Sequence, residues 1–152
     1  MQVGEIVPEF SAPDETGTLR SLSGLLAADR LVMYFYPAAM TKGCTAESCS
    51  FRDAGSAFAA LGAQRVGISP DAIDRQKEFS ERHGFDFPLL SDPKGEIATI
   101  FGVRRKFSPI ATKRQTFVID HNRRVLAVIK SEFRMDHHAE AALEVLRGLP
   151  TN

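Results

Sequence analysis

Residues 30–49 read RLVMYFYPAAMTKGCTAESC, and the way this stretch divides decides the fold. RLVMYFY at residues 30–36 is a short apolar and aromatic run stopped by Pro37, which is the pattern of a buried strand. From residue 45 to residue 61 apolar side chains recur at helical spacing, including Phe51, Phe58 and Leu61, and Gly62 supplies a stop. QRVGIS at residues 64–69 then reads as a second strand. The order is strand, helix, strand, and both cysteines of the chain, Cys44 and Cys49, fall where the crossover helix begins. Ligands and chemistry in open α/β sheets gather at this carboxyl edge of the strands.

Working outward, residues 71–84 (DAIDRQKEFSERHG) open on the acidic cap candidate Asp71, are mostly charged and end in glycine, so they predict an exposed helix. A short strand is expected at 87–90. A short helix follows at 93–101, opening on Pro93 and closing before Gly102. Gln115–Asp120 (QTFVID) and Val125–Lys130 (VLAVIK) flank HNRR and give the strongest hairpin signal in the chain. Residues 136–146 form a closing helix with Ala141, Leu143 and Leu146 on its apolar side. Near the start, Gly17 between residues 10–14 and 18–22 marks a small added hairpin. Alternating helices and strands followed by a hairpin and a helix predict an α/β fold of thioredoxin-like order, a mixed central sheet with helices on both faces.

The chain of 152 residues is of a size for one domain with its own core, and the expectation is a single domain over residues 1–152. Its 19 basic and 19 acidic side chains leave no net charge, which argues against a large electrostatic footprint for nucleic acid or anionic lipid. No stretch approaches the ~20 apolar residues that span a bilayer, and MQVGEIVPEF lacks the regions of a secretory signal. A cytoplasmic location is therefore expected, where two cysteines are transient, catalytic or metal-binding partners more often than a permanent bridge.

A structural metal site needs about four ligands. Beyond the cysteines the candidates are His83, His121, His137 and His138, which are scattered through exposed-looking segments and read as surface residues. No metal site is expected, and the chain has no glycine-rich dinucleotide fingerprint. A thioredoxin-type dithiol has two residues between its cysteines, whereas four separate Cys44 from Cys49. In the first turn of a helix, Cys44 would face unpaired backbone N–H groups and the positive end of the dipole, which favour a nucleophilic thiolate. Five helical residues correspond to a rise of about 7.5 Å and Cα atoms about 8–9 Å apart. A disulfide needs roughly 7 Å or less, so joining the two requires the first turns to unwind. Thr41, three residues before Cys44, offers a hydroxyl to the thiolate and to a polar substrate, and Pro37 ends the strand and stiffens the loop.

Pro37-Ala38-Ala39-Met40-Thr41-Lys42-Gly43-Cys44 resembles the peroxiredoxin pattern of Pro, three residues, Thr, two residues, Cys, after an aromatic strand. GCTAESCSFRD is similar to the peroxiredoxin Q class, also called bacterioferritin comigratory protein. The resemblance extends through ISPD at 68–71, FPLLSDPKGEIATIFGV at 87–103 and RQTFVID at 114–120. It implies a thiol peroxidase acting on hydrogen peroxide and organic hydroperoxides. Cys44 is then the peroxidatic cysteine, Cys49 the resolving cysteine in an intramolecular disulfide, and Thr41, Arg114, Pro37 and Gly43 complete the site, with Glu47 orienting the arginine. Arginine's fixed planar donors suit the thiolate and the peroxide oxygens better than the adjacent Lys113. The resemblance also implies thioredoxin or a similar dithiol as reductant, a monomer, and no cofactor for the peroxidase step. The rival readings are a thiol–disulfide oxidoreductase and a peroxide-responsive redox sensor on the same fold. This chain departs from the class at Ala38, Ala39 and Met40, where charged residues are commoner, and at Lys42, where proline is usual. A less polar and less rigid loop before Cys44 is expected, and residues 104–110 differ from the usual lead-in to the arginine.

Overall fold

The computed structural model describes residues 1–105, 108, 110, 112–132 and 134–150. Its centre is the strand expected from RLVMYFY, β3 (Arg30–Phe35), followed by Tyr36. Side chains alternate across a strand. Leu31, Met33 and Phe35 accordingly join one buried cluster, while Val32, Tyr34 and Tyr36 join another on the opposite face. Each such buried side chain contributes about 1.5–3 kcal/mol relative to exposure, so β3 belongs at the middle of the sheet.

Before it, β1 (Ser11–Pro13) and β2 (Leu19–Ser21) pair antiparallel as the separate N-terminal hairpin, with Gly17 at φ 82°, and lead into α1 (Leu22–Leu25). After it come α2 (Lys42–Asp53), α3 (Gly55–Ala60), β4 (Ala63–Ser69), α4 (Ile73–His83), β5 (Leu89–Ser91) and α5 (Glu96–Ile100). The chain closes with β6 (Gln115–Asp120), β7 (Val125–Lys130) and α6 (His137–Arg147). The main sheet runs β5-β4-β3-β6-β7, with β3, β4 and β5 parallel and β6 and β7 antiparallel. Leu22 and Leu25 of α1 and Ile97 of α5 cover one face, while Phe51, Phe58, Phe79 and Leu143 of α2, α3, α4 and α6 cover the other. No helix among the described residues is long and apolar enough to cross a membrane.

The periodicity through 45–61 predicted one helix. It begins three residues earlier, at Lys42, and breaks at Ala54, which ends α2 and starts α3. The cause is tertiary. Arg65 of β4 is 6% exposed, and its Nη1 donates to the Phe51 carbonyl at 2.7 Å while Nη2 donates to Asp86 at 2.9 Å. A Cβ on Gly55 would stand 3.0 Å from the same guanidinium, so the close approach depends on glycine. One carbonyl left without an intrahelical partner at the end of α2 is thus satisfied by a side chain from the sheet.

Other boundaries moved by a few residues. The strand expected at 87–90 lies at Leu89–Ser91, and the helix expected at 93–101 is shortened to Glu96–Ile100, entered through Gly95 at φ 69°. The Asp92 carboxylate accepts from the N–H groups of Ile97 and Ala98 at 3.1 and 3.0 Å, so the helix is capped by a residue ahead of the proline. Asp71 was expected to cap α4, but the cap position belongs to Ala72, and Asp71 is used elsewhere.

One contact sets how α2 lies on the sheet. Tyr34 stands opposite Gly67 on β4, where a Cβ would come within 2.8 Å of the phenol. Glycine there lets the Tyr34 ring lie flat and stack on Phe51 of α2 at 4.3 Å, with the rings 8° apart. The Tyr34 hydroxyl donates to Ser48 of the same helix at 2.9 Å.

Candidate active site

The loop from Pro37 to Thr41 leaves the carboxyl end of β3 and delivers Cys44 as the third residue of α2. The first backbone bond of the helix runs from Thr45 N–H to the Thr41 carbonyl, 2.9 Å. The N–H groups of Lys42, Gly43 and Cys44 lie ahead of that ladder, no side chain caps them, and the first turn holds no acidic residue. Such a helix start favours a negative charge. Cys44 is fully buried among Tyr34, Tyr36, Ala39 and Phe51, whereas Cys49 is half-buried, and both are free thiols within one continuous helix. Bonding them requires α2 to open.

Thr41 is exposed, and its hydroxyl donates to the Ala38 carbonyl at 2.8 Å, so its proton is turned toward its own loop in this state. Met40 just before it takes φ 64°, a left-handed conformation that costs a non-glycine residue about 1–3 kcal/mol. The loop expected to be loose is tied down by a network that begins outside it. The Asp71 carboxylate accepts from the Ala39 N–H at 2.7 Å and from the Ser69 hydroxyl at 2.7 Å. Gln76 donates to Ser69 at 2.9 Å and accepts from Tyr36 at 2.5 Å, and Arg75 donates to the Ala39 carbonyl at 3.4 Å. The sequence does not mark Ser69, Asp71 or Gln76 as site residues. The stretch ISPD contained the first two, but nothing local says that a carboxylate after β4 will reach a backbone amide after β3.

Arg114 precedes β6 and is 8% exposed. Its Nη1 lies 3.5 Å from Glu47 Oε2, and its Nη2 lies 3.0 Å from where a Cβ on Gly43 would stand. Gly43 therefore lets the guanidinium rest against the first turn of α2, beside the residue that carries the thiol. Glu47, one turn after Cys44, is fully buried, and its Oε1 has no hydrogen-bond partner among the described residues. Burial pushes its pKa to about 8, and Arg114 pulls the other way without prevailing. At neutral pH Glu47 is chiefly a neutral acid, so the Arg114 charge is not consumed by it. The Arg114 N–H donates to Glu132 at 3.3 Å.

The expectation of four surface histidines holds for exposed His121 and for half-buried His83 and His137, and fails for His138. His138 is wholly buried, with Nδ1 2.8 Å from the Thr116 hydroxyl, Nε2 2.8 Å from the Ser131 carbonyl, and Nε2 3.9 Å from Glu47. Adjacent histidines on a helix point to different sides, and the sequence does not say which side meets the sheet. Lys106, Phe107 and Pro109, in the stretch whose sequence departs from the usual lead-in to Arg114, lie outside the described residues.

A thioredoxin-like sheet with a buried cysteine at a helix start beside an arginine defines a thiol peroxidase class, and comparison with known proteins agrees. Residues 3–128 match the AhpC/TSA family model, and the chain belongs to that family, the peroxiredoxins. A candidate peroxiredoxin of Mycobacterium tuberculosis is 52% identical over 153 residues, covering 98% of each chain. The chloroplastic peroxiredoxin Q of Oryza sativa subsp. japonica is 35% identical over 146 residues, covering 96% of this chain and 67% of that one. Among solved structures, peroxidoxin BcpB of Mycobacterium tuberculosis superposes with a TM-score of 0.95 at 51% identity over 99% of both chains. The Xanthomonas campestris bacterioferritin comigratory protein does so with a TM-score of 0.85 at 27% identity, covering 97% of this chain and 98% of that one. The chain is a thiol-dependent peroxidase of the two-cysteine type found in the peroxiredoxin Q class.

Proposed function

We propose that Cys44 is the peroxidatic and Cys49 the resolving cysteine, acting on hydrogen peroxide and small organic hydroperoxides. The observation that carries this is the burial of Cys44 in the uncapped first turn of α2, with the Arg114 guanidinium resting on Gly43. The Cys44 thiolate attacks the terminal peroxide oxygen. The O–O bond breaks, the alkoxide or hydroxide leaves and takes a proton, and sulfur becomes a sulfenic acid. Charge spreads over sulfur and both oxygens in that transition state. The N–H groups of the first turn and the Arg114 guanidinium are donors for it, and Thr41 becomes a third once its hydroxyl turns from Ala38.

The second step opens the helix. The Cys49 thiolate attacks the Cys44 sulfur, hydroxide leaves as water after protonation, and an intramolecular disulfide forms. The carboxyl end of α2 is pinned by Arg65 on the Phe51 carbonyl and by Arg52 on the His83 carbonyl at 2.7 Å. Opening therefore runs through the amino-terminal turns. Thioredoxin or a similar dithiol then reduces the bond. Pro37 and Gly43 shape the pocket, Glu47 steadies Arg114, and the chain works as one domain, as a monomer, in the cytoplasm.

The test is to mix the reduced protein with one equivalent of hydrogen peroxide, count thiols, and repeat with Cys44→Ser and Cys49→Ser. The wild type should lose both thiols, and Cys49→Ser should hold a trappable sulfenic acid at Cys44. Undiminished peroxide consumption by Cys44→Ser would sink the assignment.

A further inference from the structure

His138 is the one histidine among the described residues that is wholly buried, and the peroxidase chemistry above makes no use of it. Its ring is fully committed. A carbonyl oxygen can only accept, so Nε2, 2.8 Å from the Ser131 carbonyl, carries the proton. Nδ1 is then the acceptor, and the Thr116 hydroxyl donates to it at 2.8 Å. The imidazole is thereby fixed as one tautomer in one orientation, between α6, β6 and the chain just after β7.

Each partner leads toward the site. Thr116 is two residues after Arg114, so in extended chain the two side chains leave the strand on the same face. Ser131 precedes Glu132, whose Oε1 accepts from the Arg114 N–H at 3.3 Å and from Arg105 at 2.8 Å. The third direction is α2, where Glu47 Oε2 lies 3.9 Å from Nε2 and 3.5 Å from Arg114 Nη1. One buried ring thus touches the strand that supplies the arginine, the segment that holds that arginine's backbone, and the helix that carries the thiol. We propose that His138 is a positioning residue for the peroxidatic step, holding Arg114 and Glu47 in register against the first turn of α2.

The electrostatics agree with that role. Burial is the chief cause that lowers the His138 pKa, with Arg114 and His137 adding to it and the Ser131 carbonyl and Glu132 opposing. A neutral ring accepts from Thr116, whereas a protonated one would lose that acceptor and set a second cation beside Arg114. A displacement of about 1 Å at a reacting centre costs up to about 100-fold.

The inference rests on the reading that Arg114 acts on thiolate and peroxide, and a double-mutant cycle separates the two. The single-turnover rate of Cys44 oxidation by hydrogen peroxide is measured for the wild type, His138→Leu, Thr116→Val, Arg114→Ala and the His138→Leu/Arg114→Ala double variant, with a thermal melt of each. His138→Leu should slow oxidation by up to about 100-fold, with Thr116→Val slowed less. The double variant should be no slower than Arg114→Ala within about twofold, because a group that acts through Arg114 has nothing to position once it is gone. A loss of packing alone would instead multiply the two defects and scale with the melting temperature. His138→Leu at the wild-type rate, or a double variant slowed by the product of the single effects, overturns the proposal. Should His138→Leu fail to fold, Thr116→Val decides in its place, and a wild-type rate there overturns it equally. Arg114→Ala at the wild-type rate removes the reading beneath it, while a slow Arg114→Ala beside an unimpaired His138→Leu removes the role of His138 alone.

Discussion

Glu47→Gln should make the reduced protein more stable at neutral pH while leaving its shape in place. The carboxyl is fully buried, touches Arg114 through one 3.5 Å contact, and leaves Oε1 unpartnered among the described residues, so burial carries its pKa from 4.5 to about 8. A group that holds its proton more tightly when folded adds stability on the acid side. That stability is lost as pH rises from the unfolded value of about 4.5 to the folded value of about 8. Each unit corresponds to about 1.4 kcal/mol, so the loss is roughly 3 kcal/mol by pH 7 and approaches about 5 kcal/mol above pH 8. Glutamine has nearly the same shape and no proton to lose, so it is spared this penalty. Urea unfolding of the reduced wild type and variant at pH 5, 6, 7 and 8 reads the difference. With a slope of about 2 kcal/mol per molar, the variant's midpoint should exceed the wild type's by about 1.5 M at pH 7 and by little at pH 5. Other shifted groups, including Asp92, Glu15 and His138, are common to both proteins and cancel. Curves that stay parallel at every pH would refute the reasoning, because they would place an ionised carboxylate at Glu47 already satisfied by Arg114.

Gly43→Ala places a methyl 3.0 Å from Arg114 Nη2, and the flexible guanidinium gives way before the backbone does. Peroxide oxidation of Cys44 should slow by about tenfold or more with the melting temperature nearly unchanged, as single-turnover kinetics beside a melt would show. Asp71→Ala removes the acceptor that holds the Ala39 N–H, and loss of a charge-assisted bond of this kind costs about 1.5–3 kcal/mol, to be read from urea unfolding. Arg65→Met removes the donor on the buried Phe51 carbonyl, costs about 1–3 kcal/mol for the orphaned group, and frees the carboxyl end of α2. Disulfide formation after a peroxide pulse should nonetheless keep the wild-type rate, because the helix opens through its amino-terminal turns and Arg52 still holds the His83 carbonyl, and a faster rate would show that the carboxyl end limits the opening.

The central strand, the β6–β7 hairpin, the mixed sheet with helices on both faces and the small N-terminal hairpin were all legible in the chain, because each rests on local patterning. RLVMYFY against Pro37 and HNRR between two apolar runs need no distant partner to be read. The cysteine spacing was equally local, since helix geometry alone forbids a bond across four intervening residues in an intact helix. Other features came from residues far apart in the chain. Arg65 ends α2 at Asp53 although the helical period runs on, because one guanidinium from β4 takes the Phe51 carbonyl. Asp71 looked like a helix cap and instead holds the loop ahead of Cys44. His138 looked like a surface residue and is wholly buried.

Sequence by itself determined the order of the elements, the place of Cys44 at a strand's end and a helix's start, and the family in which such a thiol works. Only the tertiary structure decided which polar side chains surround that thiol and in what protonation state. Hydrophobic period and turn chemistry act over a few neighbours, whereas the desolvation of Glu47, the seat of Arg114 on Gly43 and the orientation of His138 arise where chain segments dozens of residues apart exclude water together.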